Sequence, residues 1–536
     1  MKMKKYIKSR LLIAFTGLAV FTFSCTDLDE ELYSDVTADN FFNTEDEFIA
    51  ALGAAYSSLG GLGNSGNMWS INELVSDEMV VTTKGGDWYD GGVLLQLHQH
   101  EYTPDNGFVN NAWTQMYGGI NTCNRLIYTF EQLGTPEADA FIAELRGIRA
   151  LWYYWLVDAF GNVPIVTDFT DTEQPATSDR IDVYNFIESE LNDIVDVLPT
   201  SKDLSTYGRM TKWAVLAIRC KLYLNAEVYT GTPQWDKAAA DARTIIDEGP
   251  FNLELNFSTN FLINNQVSTE NIFVYPYDKV FAGGFNFNMM TLHYANQGVY
   301  NFTEQPWNGY ATLEEFYNSF IDPTQNPGPQ GDVWAGLAQT PSTGTQDARL
   351  SSFIVGPQFN PDGSRAQDPG TEANDPDGPP LTFTPQNNEI YPNGWRQGGA
   401  RIGKYEFEQG GTGNMSNDFV IFRLADIVLS LAEAELRDGD PGEALVLVNN
   451  IRERAGVDPF PGPLTEELLL AERGREMFAE MVRRQDLIRF GKFGEAWWEK
   501  AASDDHYELF PIPQPQRDVN NKLTQNPGYP GGAGGG

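Results

Sequence analysis

Two stretches that read as helical hairpins stand about 200 residues apart, and they constrain the fold more than any other feature. The first, "MTKWAVLAIRCKLYLNAEVYTG" followed by "QWDKAAADARTIIDEG", covers residues 210–249, with Thr211 as its cap and Gly231 between its helices. The second, "RLADIVLSLAEAELRDGDPGEALVLVNNIRERAG", covers residues 423–456 and turns at Gly439 and Pro441-Gly442. An amphipathic hairpin buries its stripe only against a neighbour, and both have the length and small-residue spacing of tetratricopeptide-like repeats. Hairpins this far apart stack only if the chain returns, so one helical layer is expected from both ends of the sequence.

Further periodic segments agree with a mostly α fold. Residues 45–59 carry Phe48, Leu52 and Tyr56 on one face, with Thr44 and Glu47 placed as a capping box. Residues 112–133 align Trp113, Met116, Tyr117, Ile120 and Ile127, and residues 137–160 align Phe141, Leu145, Ile148, Trp152, Trp155 and Ala159 before Gly161 and Pro164. Residues 182–198 form another amphipathic segment, and residues 464–490 are predicted as one more long helix. Between the two helical regions, residues 250–418 are rich in Gly, Pro, Asn and Asp, as in "NPDGSRAQDPGTEANDPDGPP", with "NIFVYPY" reading as a strand. The expected body is therefore residues 44–536, with 44–249 and 419–536 as the helical layer. Residues 250–418 are expected as a loop-rich segment with short strands, carried on the surface of that layer. Loops so extensive in a stable body usually carry function.

The N-terminus has its own logic. Lys2, Lys4, Lys5, Lys8 and Arg10 precede a 13-residue apolar run, residues 11–23, too short to span a bilayer but sized for a secretory signal peptide. Cleavage after Ser24 makes Cys25 the first residue, as in a bacterial lipoprotein signal, although Thr22 stands where Leu is usual. The expected plan is a signal peptide over 1–24 and a lipidated tether over 25–43. An ordinary signal with a chance cysteine is the alternative. Cys123 and Cys220 fall in helical patterns and read as buried free thiols.

Charge excludes one class. The chain has 74 Asp plus Glu against 36 Lys plus Arg, a formal net charge of −38, the wrong sign for a nucleic-acid binder. Catalytic and metal motifs are weak. "GLGNSG" follows a helix rather than a strand, and "GGARIGK" is followed by Tyr405 where a P-loop has Ser or Thr. "HQH" places His98 and His100 on one face if the segment is a strand, but solvated or hydrogen-bonded histidines fit better than a zinc site. The Asp-rich residues 362–377 could offer oxygen ligands to calcium, yet lack EF-hand spacing and read as a solvated loop. No metal or cofactor is expected. A glycoside hydrolase needs only two carboxylates about 5–10 Å apart, so the sequence leaves that alternative open.

Stretches along nearly the whole chain, "TADNFFNTEDEFIAALGAAYSSL", "AWTQMYGGINTCNRLI", "ELRGIRALWYYWLVDAFGNVPIV", "RLADIVLSLAEAEL", "AERGREMFAEMVRRQDLIRFGKF" and "LFPIPQPQRDVNNKLTQNPGY", together carry a resemblance. The resemblance is to the SusD/RagB family, surface glycan-binding lipoproteins of Bacteroidetes. It implies a SusD-like α fold with four tetratricopeptide-like pairs and a loop-rich ligand face. It also implies a carbohydrate ligand, a SusC-like TonB-dependent transporter as partner, and binding without catalysis. A lid with no sugar affinity is a third reading. In the same light, Asp27, Asp29, Glu30 and Glu31 look like a signal for export to the outer surface of the outer membrane.

A neutral sugar is best met by a flat ring and a few fixed polar groups. Trp113, Trp152, Trp155, Trp213 and Trp235 lie in helices and read as core, with Trp497 and Trp498 near the last helix. Trp69, Trp88, Trp307, Trp334 and Trp395 lie among turn residues. Two loops stand out. "KGGDWYDGG" presents Trp88, Tyr89 and Asp90, and "EQPWNGY" presents Trp307, Asn308 and Tyr310; the family's ligand face draws on loops in these regions. "NGWRQGG" adds Trp395 and Arg396. The starch, fructan or host-glycan identity of the ligand stays open.

Overall fold

The computed structural model describes residues 45–321, 332–333, 338–339, 347–370 and 380–532. The chain divides into two compact units, Met1–Glu47 and Phe48–Gly536. Cys25, the expected signal sequence, the four acids at 27–31 and Trp334 lie outside the described residues. Every described element belongs to the second unit, save the first three residues of the first helix.

The main helices and strands of the described residues, in order and leaving out five short α-helices, are α1 (Glu45–Ser57), α2 (Met68–Glu73), β1 (Met79–Val81), α3 (Val93–Gln99), α4 (Gly107–Leu133) and α5 (Pro136–Ala159). Then come α6 (Arg180–Ile194), α7 (Lys212–Leu224), α8 (Trp235–Glu248), β2 (Asn271–Tyr275) and β3 (Tyr310–Thr312). After the irregular region, β4 (Phe419–Arg423) leads into α9 (Leu424–Asp438), α10 (Pro441–Arg454), α11 (Glu466–Met477) and α12 (Arg483–Arg489). No helix among the described residues is long and apolar enough to cross a membrane.

The helical hairpins form where caps and turn residues place them. Gly134, at φ 61°, closes α4, and the Thr135 side chain accepts the Ala138 N–H to open α5. Trp152 of α5 is fully buried against the bare backbone of Gly119 on α4, where a Cβ would stand 2.1 Å from its Nε1. The expected return of the chain is present: α8 packs on α7 and also on α9. Arg243 of α8 reaches Glu435 at 2.8 Å and Glu443 at 2.7 Å, and Lys221 of α7 pairs with Asp426 of α9 at 2.9 Å in full burial. The five helix tryptophans read as core, Trp113, Trp152, Trp155, Trp213 and Trp235, are all buried.

Two expectations are corrected. The segment at 464–490 is not one helix: α11 stops at Met477 and α12 starts at Arg483. Ala479 and Met481 between them take φ of 63° and 61°. Their N–H groups bond to the carboxylates of Glu78 (3.2 Å) and Glu73 (2.7 Å), so two buried acids capture the donors that a continuous helix would use. Nor is the middle segment merely carried on the surface. It has an aromatic core, with Phe261, Phe285, Phe287 and Tyr405 buried together with Phe419 of β4 and Phe285 edge-on to Tyr405 at 4.8 Å.

Buried ion pairs weld that core to the helices. β4 pairs antiparallel with β2, and Arg423 at its end meets Glu270 at 2.8 Å, Glu476 at 2.6 Å and Glu480 at 2.7 Å. Arg349 meets Asp347 at 2.8 Å and Glu472 at 2.7 Å. Burial alone would raise the Glu476 carboxyl, but Arg454, Arg423 and Arg349 outweigh it and hold the group well below the usual carboxylate range.

Candidate functional site

The β1–β3 ladder assembles the site. Its antiparallel register sets Met79 opposite Thr312 and Val81 opposite Tyr310. The chain leaving Val81 and the chain entering Tyr310 therefore emerge at the same end, and these are the Trp88 and Trp307 loops. Trp88 Nε1 donates to the Trp307 carbonyl at 2.7 Å. The Trp88 ring stands edge-on to Tyr310, with centroids 5.8 Å apart, and lies directly on Gly309. The third loop joins through backbone bonds from Thr83 N–H to Ile390 O and from Gly394 N–H to Thr83 O, both 2.8 Å. The Trp395 N–H is then fixed on Asn388 Oδ1 at 2.7 Å.

Six of the eight candidate residues reach the surface. Tyr89 and Trp307 are 43% and 39% exposed, Asp90 is exposed, and Trp88, Trp395 and Arg396 are half-buried. The Trp88 loop is also strained, with φ of 61° at Trp88 and 43° at Asp90 before Gly91 and Gly92 at 70° and 86°. Non-glycine residues in this region cost on the order of 1–3 kcal/mol each and persist where the surroundings impose them. Tyr310 and Asn308 are corrections: both are fully buried. Tyr310 belongs to β3, its hydroxyl lies 2.8 Å from Ser65 Oγ and Ser70 Oγ, and its ring supports Trp88 from beneath. Asn308 is held at φ 58° with its N–H on Leu292 O. Trp69 is likewise no loop ring; it is buried in α2 with Nε1 on the Ala479 carbonyl at 3.3 Å.

Three residues were missed. Tyr391 is 47% exposed and packs on Tyr89 at 5.3 Å, extending the exposed rings. Tyr294 donates its hydroxyl to Asp87, and the Arg396 guanidinium sits 5.2 Å over its ring. Asp368 is buried between Arg396 Nη2 at 2.7 Å and His293 Nε2 at 2.9 Å. Burial would raise its carboxyl, but the hydrogen bond and charge of these partners lower it. Burial also lowers His293, and it raises the Tyr294 phenol together with Asp87. Tyr391 and Tyr294 were findable, because "YPNGW" and "HYANQG" set rings among turn residues as the chosen loops do. Beside Tyr294 and Arg396 opens a cleft of about 740 Å³.

The other candidates resolve structurally. His98 and His100 end a helix rather than a strand; both are buried, His98 on Trp498 O at 2.8 Å and His100 between Val75 O and Ser503 Oγ, each at 2.9 Å. Asp362 accepts from the Ser364 N–H and hydroxyl, while residues 371–377 of the Asp-rich stretch lie outside the described residues. Among the described residues no three His, Cys, Asp or Glu side chains are grouped to hold a metal ion. Cys123 and Cys220 are buried free thiols, and burial pushes Cys123 up to about 12.

Exposed rings interleaved with a guanidinium, carboxylates and amides can stack on C–H faces and bond hydroxyls. Residues 269–529 match the model of the SusD family, and residues 28–224 match a model described as "Starch-binding associating with outer membrane". The chain belongs to the SusD family. It is 26% identical over 497 residues to the starch-binding protein SusD of Bacteroides thetaiotaomicron, covering 86% of this chain and 85% of that one. It is 25% identical to SusD-like protein P2 of Formosa agariphila, over 98% of this chain and 100% of the relative. Among solved structures, a laminarin-binding SusD-like protein superposes with a TM-score of 0.69 at 21% identity, covering 91% of this chain and all of that one. Surface glycan-binding protein A of Bacteroides thetaiotaomicron, solved with laminarihexaose, gives 0.69 at 19% identity, covering 90% and 99%. The fold is thus SusD-like, built from tetratricopeptide-like hairpins with a loop-rich insertion.

Proposed function

We propose that this SusD-family protein is a lipid-anchored outer-membrane protein that captures oligo- or polysaccharide outside the cell and delivers it to a SusC-like TonB-dependent transporter, without chemistry on the sugar. The observation that carries the reading is the convergence of the Trp88 and Trp307 loops, joined by a 2.7 Å hydrogen bond, with the Tyr391 loop, whose ring packs on Tyr89. The names of its relatives, starch-binding SusD and laminarin-binding and laminarihexaose-bound proteins, support a glycan as ligand. The Cys25 border and the acids at 27–31 support the anchor and the outward orientation. The carboxylates near the rings suit binding: Asp87 is occupied by Tyr294, and Asp368 by Arg396 and His293.

The test is a glycan array on the soluble body, followed by titration of the best ligand into Trp88→Ala and Trp307→Ala. A stacked ring contributes about 1–3 kcal/mol by analogy with base stacking, so each variant should lose about 5- to 150-fold in affinity while keeping its fold. New reducing ends would replace this reading with a hydrolase. Absence of all glycan affinity, with the transporter still captured, would replace it with a structural lid.

A further inference from the structure

The cleft beside the rings differs in charge from the rest of the chain. Formal net charge is −38 overall, yet among the described residues the ionisable groups lining this cleft are Arg365, Arg396 and Asp368 besides the Tyr294 phenol. Asp368 is 1% exposed and fully used, with Oδ2 on His293 and Oδ1 on both Arg396 Nη2 and the Gly370 N–H at 2.9 Å. It neutralises Arg396 and leaves nothing for a second cation. Arg365 forms no ion pair among the described residues: its Nη2 bonds the Thr382 hydroxyl at 2.8 Å and the Leu381 carbonyl at 3.2 Å, and its guanidinium lies 5.3 Å over the Phe359 ring. These fix the group in place without cancelling its charge. Among the described residues the remaining polar wall consists of amides, including Gln297, Gln305 and Asn360, which suit hydroxyls.

We infer that this cleft is a subsite for a sugar carrying an anionic substituent, a carboxylate or a sulfate. The inference rests on the glycan-capture reading and specifies its ligand class. A guanidinium held by neutral acceptors retains full attraction for an oxyanion, and its planar donors match either group. An anionic glycan is repelled by a surface with so large an acid excess, so a locally positive cleft beside the stacking rings also sets its orientation.

The test titrates the full soluble chain with laminarihexaose, an oligogalacturonate and a sulfated galactan oligomer at about 20 mM and about 500 mM NaCl, where the screening length falls from about 20 Å to about 4 Å. One anionic ligand should bind about tenfold or more above laminarihexaose at low salt and lose that advantage at high salt. The carboxylate and sulfate arms tell the two sources apart. Arg365→Gln should abolish the advantage and Arg365→Lys should retain part of it, with each melt recorded. The wild-type salt comparison stands even if Arg365→Gln unfolds. Laminarihexaose binding as tightly as both anionic ligands at low salt would overturn the inference and leave glycan capture intact; binding of no glycan in the panel or on the array would overturn both.

Discussion

Adding one methyl group at Gly309 should blind the candidate face without removing any ring. A Cβ there would stand 2.4 Å from Cζ2, 2.6 Å from Cε2 and 2.8 Å from Cη2 of Trp88. Carbon atoms rest about 3.5–4.0 Å apart, so something must retreat by more than about 1 Å. The backbone is pinned, since the N–H groups of Trp307, Asn308 and Gly309 bond to Met289, Leu292 and Met290 at 2.7, 2.9 and 2.8 Å. The half-buried ring therefore yields, and its 2.7 Å bond to the Trp307 carbonyl breaks. Overpacking relieved toward solvent costs about 1 kcal/mol and the lost hydrogen bond about 1 more. The melting temperature of Gly309→Ala should fall by only a few degrees. Binding should weaken about 5- to 150-fold, as for Trp88→Ala, because the ring is present but displaced. Calorimetric titration of the array-selected glycan, paired with thermal unfolding, reads both quantities. Wild-type affinity in Gly309→Ala would refute the reasoning, and a collapse in stability would show Trp88 to be core.

Trp152→Ala should cost about 3–5 kcal/mol in chemical denaturation, since the ring is fully buried; a loss under about 1 kcal/mol would contradict the packing. Arg423→Met removes the cation shared by Glu270, Glu476 and Glu480, leaving Arg454, Arg349 and Lys404 to balance three buried carboxylates, and should cost about 3–5 kcal/mol, part of which a further Glu476→Gln change recovers. Burial lowers His98 to about 4 and His100 to about 2, with Lys500 adding to both, so their contribution is whole above the unfolded value near 6.5 and is lost as pH falls below it. Glu73 and Asp418, pushed up by burial to about 7 and about 6, bend the curve the other way. The difference between wild type and His98→Gln/His100→Gln should therefore narrow by up to about 2.7 kcal/mol per unit between pH 6 and 5; a constant difference would refute it. Cys25→Ser should abolish incorporation of labelled palmitate, and continued labelling would remove the anchor.

The sequence carried the helical layer well because its signals are local. Thr135, Thr211 and Asp440 each accept a first-turn N–H, and the buried faces follow the apolar stripes. It misread 478–482 because the captors, Glu73 and Glu78, lie about 400 residues upstream. The candidate site was legible as three loops, since rings beside glycine and turn residues mark exposed chain. Depth was not: "WNGY" gives no hint that Trp307 faces out while Asn308 and Tyr310 turn inward, a distinction made by pairing with β1. The pairing of Arg396 with Asp368 is equally non-local.

The floor beneath β1 has a kinetic meaning. Trp69 bonds to Ala479, Glu73 to Met481, Asp77 to Arg483 and His98 to Trp498, so the stretch that delivers Trp88 is latched by chain made about 400 residues later. Closing a loop of that length costs on the order of 5 kcal/mol in chain entropy, and such contacts form late. As the chain emerges N-terminus first, the α4–α5 and α7–α8 hairpins have all their residues early. The Trp88 loop waits on a foundation supplied by the final tenth of the protein. A chain cut before Phe478 could hold most of its helices and still lack a seated Trp88, so recognition would be the last competence this protein acquires and the first that C-terminal proteolysis takes away.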